Sequence, residues 1–202
     1  MTSIYLIRHA THDRLGRVLC GRMADVGLSE EGLRQAEALA RCIEGEPKVT
    51  ALYSSPLERT LQTAEPIARS LGLAPRITEA LNEVDVGRWT GASFAALRGD
   101  PAWRSWKRAP VKSRPPGGES LADVAARVGG WIDEMRRAHP DETIVAVSHG
   151  DVIKTAIALA LGLGLDRLHR FEISPASLSL LLVGGRDQKV CWLNRPGAST
   201  DP

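Results

Sequence analysis

The sequence predicts an α/β fold: a three-layer sandwich in which a mostly parallel central sheet is flanked by helices. Three observations lead there. Short apolar runs suited to buried strands, Ile4 to Ile7, Val49 to Tyr53 and Thr143 to Val147, alternate with segments of helical periodicity. The intervening segments are long enough to carry the crossover helices that parallel neighbours require. Residues that start and stop helices stand at the ends of the periodic segments.

In chain order, Ile4-Tyr5-Leu6-Ile7 reads as a buried strand ending near Arg8, followed by a polar, Gly-marked loop from Thr11 to Gly27. Ser29 is a helix N-cap, Glu30 and Glu31 suit the first turn, and Leu33, Ala36, Leu39, Ala40 and Ile43 keep helical spacing. That helix should stop around Gly45-Glu46-Pro47. Val49 to Tyr53 is the second strand. Ser55 is expected to cap the next helix, with Pro56 at its first position and Glu58 closing a capping box, which puts Arg59 in the first turn. Pro66 is a candidate kink and Gly72 a C-terminal cap.

Arg76 to Thr78 reads as a third short strand, leading into the loop Leu81 to Trp89. Residues 93–118, with one or two short helices, four prolines and a Gly-Gly pair, are expected to be an inserted loop or lid. Ser120 caps a helix running to about His139, where Pro140 ends it. Thr143 to Val147 is a continuous apolar strand, Ser148-His149-Gly150 turns the corner, and Asp151 to Leu161 is an apolar helix. Ser177 to Val183 and Lys189 to Leu193 form a terminal hairpin around Gly184-Gly185. The edge at Ser177 to Val183 stays open to cover by this chain or by a second copy, so monomer and homodimer are both expectations.

Composition narrows the function classes. With 202 residues, 43% hydrophobic and 25% charged, the chain suits one packed domain over 1–202. A net charge of +2, spread along the chain, argues against a dedicated nucleic-acid binder. Cys20, Cys42 and Cys191 are odd in number and far apart, which suggests reduced thiols of a cytoplasmic protein rather than a disulfide framework or zinc knuckle. Arg8 arrives before any signal-peptide core forms, and the longest apolar stretch, Ala156 to Leu165, is well short of the ~20 residues that cross a bilayer. No membrane partner is expected.

Open α/β sheets bind ligands beyond the carboxyl ends of their strands. Arg8 and His9 come after the first strand, Arg59 stands in the helix after the second, Glu83 in the loop after the third, and His149 after the Thr143 to Val147 strand. Two guanidinium groups and a helix N-terminus make an anion clamp. A histidine beside them is held neutral, the form that attacks phosphorus. His149, placed as a donor, would help the arginines stabilise charge on the equatorial oxygens. A carboxyl beside a bound phosphate, Glu83, would keep the proton the leaving alkoxide needs.

These residues resemble the histidine phosphatase superfamily, which includes the cofactor-dependent phosphoglycerate mutases. The match runs through Leu6-Ile7-Arg8-His9-Ala10, Leu28-Ser29-Glu30-Glu31-Gly32 with Gln35-Ala36, and Tyr53-Ser54-Ser55-Pro56-Leu57-Glu58-Arg59-Thr60 onward to Ala64. It continues in Leu81-Asn82-Glu83, Gly87 to Gly91, Gly118-Glu119-Ser120 and Val147-Ser148-His149-Gly150. The resemblance implies a phosphoglycerate mutase-like fold, a phosphohistidine on His9, a pocket of Arg8, Arg59 and His149, Glu83 as proton donor, no metal and no cofactor. Two departures stand out. Ala10 replaces the usual Gly and would be strained at positive φ, and Thr11 to Gly16 lacks the Asn that often occurs there. The missing mutase insertion and the Gly-Gly-Glu-Ser turn are more like the small phosphatases.

The expected activity is therefore hydrolysis of a small phosphate ester, a metal-independent histidine acid phosphatase-type reaction. A phosphoglycerate-type mutase and a catalytically inactive relative that binds a phospholigand or a partner are the alternatives. Arg8, Arg59, His149, His12 and Gly150 are the candidate substrate contacts. Taken singly, either histidine could be structural and Glu83 a solvated carboxylate; it is their joint order that favours chemistry. His12, three residues after His9, lacks the carboxylate or Cys that would complete a metal set and reads as a loop residue near the pocket. Arg104, Lys107, Arg108, Lys112 and Arg114, interleaved with Trp103 and Trp106, are equally a lid over an anionic substrate and an ordinary solvated loop.

Overall fold

The central strand β1 (Thr2–Arg8) shows how the sandwich forms. Its side chains alternate between faces: Ile4 and Leu6 enter one apolar cluster, Tyr5 and Ile7 the other. Both faces must then be covered, because burying an aliphatic side chain contributes about 1.5–3 kcal/mol. The computed structural model describes residues 1–46, 48–185 and 187–197. In it, α1 (Glu30–Glu44) and α2 (Glu58–Leu71) cover one face through Leu39, Ile43, Ala64 and Ile67. The other face is covered by α5 (Leu121–Ala138) and α6 (Gly150–Ala160) through Val124, Val128, Ile132, Ile153 and Ile157. Between them come the short α3 (Phe94–Leu97) and α4 (Pro101–Arg108).

The remaining strands are β2 (Val49–Ser54), β3 (Arg76–Ile77), β4 (Thr143–Ser148), β5 (Ser177–Val183) and β6 (Gln188–Pro196). Their order is β3-β2-β4-β1-β5-β6. The first four run parallel, while β5 and β6 join antiparallel. Register fixes where the strands stop. Arg8 pairs with Ser148 and Ser54 with Val147, so the three strands end level at one edge. The next residues, His9, Ser55 and His149, are therefore neighbours by construction. His9 N and Ser55 N still donate to Ser148 O (2.9 Å) and Val147 O (3.0 Å), which extends the ladder to the residues that carry the site.

Most elements stand where they were expected, including the Ser29 N-cap, the Gly72 cap at φ +65° and the α5 start, where Ser120 and Asp123 form a capping box. Pro47, expected as part of the stop after α1, lies outside the described residues; Gly45 is the observed cap. Two expectations need correction. Ser55 does not cap α2: its backbone is still in the sheet ladder, and the helix begins at Glu58 after Leu57, with no side-chain cap. Arg59 keeps its first-turn position nonetheless. Leu33, counted in the α1 stripe, is exposed. Of the two covers left open for β5, this chain supplies it: β6 pairs along β5 in the expected hairpin, and β3 and β6 are the edges. Among the described residues, no helix is long and apolar enough to cross a membrane.

Candidate active site

Beyond the level strand ends lies a cavity of about 140 Å³ whose lining includes Arg8, His9, His12, Arg59, Glu83 and Asp151. His149, outside the lining, meets His9 with ring centroids 5.2 Å apart. His12 approaches His9 at 5.4 Å from another side. Arg8, His9, Arg59, Glu83, His149 and His12 are thus brought together. Gly150 contributes differently. A Cβ there would stand 3.4 Å from Arg8 Cζ, so glycine lets the guanidinium lie against the start of α6.

Hydrogen bonding orients the imidazoles. His9 Nδ1 is 2.8 Å from Ala10 O, a carbonyl that only accepts, so the proton sits on Nδ1 and Nε2 keeps its lone pair. Burial holds the His9 pKa well below the ordinary imidazole value, and the charge of Arg59 adds to the effect. His149 is likewise kept neutral, by burial first and then by His9 and Arg59. Its Nε2 meets Ser55 Oγ at 2.8 Å, and its Nδ1 is 3.9 Å from Glu83 Oε2. His12 is pushed down to about 4 by burial and by Arg59 and Arg8.

Glu83 moves the other way. Burial and then the neighbouring Asp151 raise its carboxyl to about 7, although the Val84 N–H bond to Oε1 (2.8 Å) and both arginines oppose the shift. A carboxyl so raised can hold a proton near neutrality, and 19% of its side chain stays exposed.

The donors are what mark this cavity. Arg59 is 2% exposed, yet only its Nη2 is bound, to Gly21 O at 2.7 Å. Arg8 donates Nη1 to Ile173 O at 2.6 Å. Arg8 Nε, Arg59 Nε and Nη1, His12 Nδ1 and His149 Nδ1 make no hydrogen bond within the protein. Buried polar groups are ordinarily satisfied. Four of these nitrogens, on Arg8, Arg59 and His12, belong to residues lining the one cavity, and two of those residues are cationic, an arrangement suited to an anion with several acceptor oxygens. Among the described residues, no group of three or more His, Cys, Asp or Glu side chains is arranged to hold a metal ion.

A model of the histidine phosphatase superfamily (branch 1) matches residues 4–196. The chain belongs to the histidine phosphatase superfamily. Phosphoserine phosphatase 1 of Hydrogenobacter thermophilus is 33% identical over 198 residues, 96% of this chain and 92% of that protein. The chain also spans half the length of a bifunctional protein of Mycobacterium tuberculosis, 35% identical over 181 residues. In structure it is similar to Bacillus stearothermophilus YhfR, with a TM-score of 0.90 at 28% identity over 96% of this chain and 98% of that one. A mycobacterial glucosyl-3-phosphoglycerate phosphatase solved with VO3 gives 0.85 at 29% identity, over 96% and 98%.

Within the superfamily pattern, the two departures have physical answers. Ala10 is not at positive φ; its methyl is fully buried and its N–H donates to Thr63 Oγ1 at 3.0 Å. The stretch without the Asn brings buried His12 and half-buried Leu15 to the cavity wall instead. None of Arg104, Lys107, Arg108, Lys112 and Arg114 lines this cavity; from residues 93–118 only Phe94 does. The tryptophans belong to packing: Trp103 lies edge-on to Trp89 at 5.4 Å, and Lys107 stacks over Trp103. Lys107 and Arg108 line a neighbouring cavity of about 360 Å³ that shares Asp151 with the first.

Sequence reasoning missed Ser55 as the partner of His149, Gly21 O as the seat of Arg59, and Asp151 as the neighbour that raises Glu83. Asp151 carried a usable signal, since it comes directly after His149-Gly150 in the same turn. Gly21 carried none, because a carbonyl is common to every residue.

Proposed function

We propose that this chain is a phosphomonoesterase for a small phosphorylated metabolite, working through a phosphohistidine on His9. The observation that carries the reading is the set of four unpartnered nitrogens, on Arg8, Arg59 and His12, in the lining of the His9 cavity. A phosphoryl group seated there accepts from Arg8, Arg59, His12 and His149, and lies against the free lone pair of His9 Nε2. The Nε2 pair forms the N–P bond as the ester P–O bond breaks, its electrons passing to the leaving oxygen. Glu83 transfers its proton to that oxygen, so an alcohol leaves rather than an alkoxide. Glu83, now a carboxylate, accepts a proton from water as the water oxygen attacks phosphorus. The N–P bond breaks, its pair returns to His9, and inorganic phosphate departs.

Ser55 supports this assignment. Its Oγ accepts weakly from Leu57 N–H (3.4 Å), which leaves the hydroxyl hydrogen for His149 Nε2 and places the His149 proton on Nδ1, the nitrogen nearer Glu83. The side chains present supply the nucleophile, the acid and the charge stabilisation, so the reaction is proposed to run in the cytoplasm as the metal-independent, histidine acid phosphatase type. The names of the relatives support an ester of a small, polar alcohol as substrate rather than a nucleic acid or membrane partner. The protein is proposed to act as a monomer or a homodimer.

Rapid quench of the protein with ³²P-labelled ester tests it. An acid-labile, alkali-stable label on the intact protein and none on His9→Ala is the expected result, with free phosphate as product. No label on the intact protein, or a label that survives in His9→Ala, rejects the phosphohistidine. Formation of an isomeric ester in place of phosphate would make it a mutase.

A further inference from the structure

Glu119 takes no part in the proposed phosphoryl transfer and lies in the Gly-Gly-Glu-Ser turn, yet it organises the backbone that carries the acid. Its Oε1 receives Arg22 Nη2 at 2.9 Å and Arg127 Nε at 3.1 Å. Its Oε2 receives Arg127 Nη2 at 3.1 Å and Asp85 N at 3.0 Å. Both arginines reach past it to one atom, the backbone carbonyl oxygen of Glu83: Arg22 Nε at 2.9 Å and Arg127 Nη2 at 3.3 Å. Arg127 also holds Ala80 O at 2.8 Å, and Glu119 N donates to Asp85 O at 2.8 Å. The backbone around the acid is thereby tied to α5 through Arg127, to the loop before α1 through Arg22, and to the Glu119 turn.

A surface ion cluster would contribute little and would have no reason to converge on a carbonyl. This one is mostly enclosed, with side-chain exposures of 20% for Glu119, 17% for Arg127 and 31% for Arg22. Its geometry is also enforced sterically. A Cβ on Gly118 would stand 2.2 Å from Asp85 O, and one on Gly87, at φ +52°, would stand 2.3 Å from Pro116 O, so the two backbones touch only because both positions are glycine.

We infer that Glu119 is the positioning residue of the general acid: through Arg22 and Arg127 it fixes the Glu83 carbonyl and so aims the Glu83 carboxyl at the leaving oxygen. This rests on the proposed role of Glu83. Misplacing an acid by about an ångström costs far more than its hydrogen bonds suggest, because proton transfer needs hydrogen-bond reach in the transition state. The cost falls only on substrates that need the proton. A primary alkyl phosphate does; p-nitrophenyl phosphate, whose phenolate leaves unaided, does not.

The full chain and its Glu119→Gln and Glu119→Ala variants are assayed with glycerol phosphate and p-nitrophenyl phosphate, with folding verified by circular dichroism. Should the alanine variant fail to fold, the near-isosteric glutamine variant carries the measurement. The kcat/KM for glycerol phosphate is expected to drop roughly tenfold to a hundredfold further than that for p-nitrophenyl phosphate. In a Glu83→Gln background, Glu119→Gln should add no further separation between the two esters. Equal losses on both esters, no loss on either, or a separation that persists without Glu83 overturns the inference while leaving the phosphatase reading intact. An intact protein that releases phosphate from neither ester sinks both together.

Discussion

Replacing Glu83 with glutamine tests the acid through stability as well as rate. The carboxyl is raised from 4.5 to about 7, with burial as the main cause and Asp151 second. That difference corresponds to about 3 kcal/mol between its protonated and ionised forms in the folded protein. The folded chain keeps this proton where the unfolded chain has lost it, so the parent's stability from this group is fully present below about pH 4.5 and is lost as pH rises through about 7. Glutamine has no proton to lose, and its carbonyl oxygen can still accept from Val84 N–H. Relative to the parent, Glu83→Gln should therefore gain stability with pH, by up to about 3 kcal/mol between pH 4.5 and pH 8.5. Urea unfolding in phosphate-free buffer at several pH values reads this directly. In parallel, kcat/KM on an alkyl phosphate should fall by about 10² to 10⁴, and the parent's rate on that ester should decline as pH rises above about 7. A stability difference that does not change with pH would refute the raised carboxyl and with it the reasoning about burial. A pH-dependent difference without loss on alkyl esters would refute only the catalytic role.

The same geometry sets three more expectations. Arg59→Met should cost about 10² to 10³ in kcat, because it deletes two of the donors aimed at the cavity, while leaving unfolding stability level or higher, since a buried guanidinium with a single protein partner pays for its own desolvation; a large destabilisation in urea would contradict that. Ser55→Ala strands the buried Nε2 of His149 and should lower stability by about 1–3 kcal/mol, with a slower rate on every ester; unchanged melting and kinetics would show that the 2.8 Å contact is unimportant. Gly118→Ala forces the Asp85 carbonyl away and should destabilise by about 1–3 kcal/mol or more, measured by thermal melting.

Much of the site was legible in the chain because its chemistry is concentrated where local rules are strongest. Arg8, His9 and His149 sit where apolar runs end, and Arg59 sits in the first turn of a helix whose periodicity is plain. The first-turn position of Arg59 holds even though Leu57, not Ser55, precedes the helix. Ser55 has the right residue type for a cap, but the sheet ladder to Val147 and the imidazole of His149 lie about 90 residues away in the chain and claim both its backbone and its hydroxyl. Local propensity has no view of such partners.

Strand and helix periods, helix boundaries and the order of the reactive residues were thus determined by the amino-acid sequence alone, since each depends on neighbours within a few positions. The tertiary structure alone decided that three parallel strands end level, that burial, with Asp151 second, raises Glu83, that Ala10 is unstrained, and that Glu119 reaches the Glu83 carbonyl through two arginines. Those facts depend on register, burial and distance between segments far apart in the chain, and burial sets both the strength of a charge and the cost of leaving a donor unpaired.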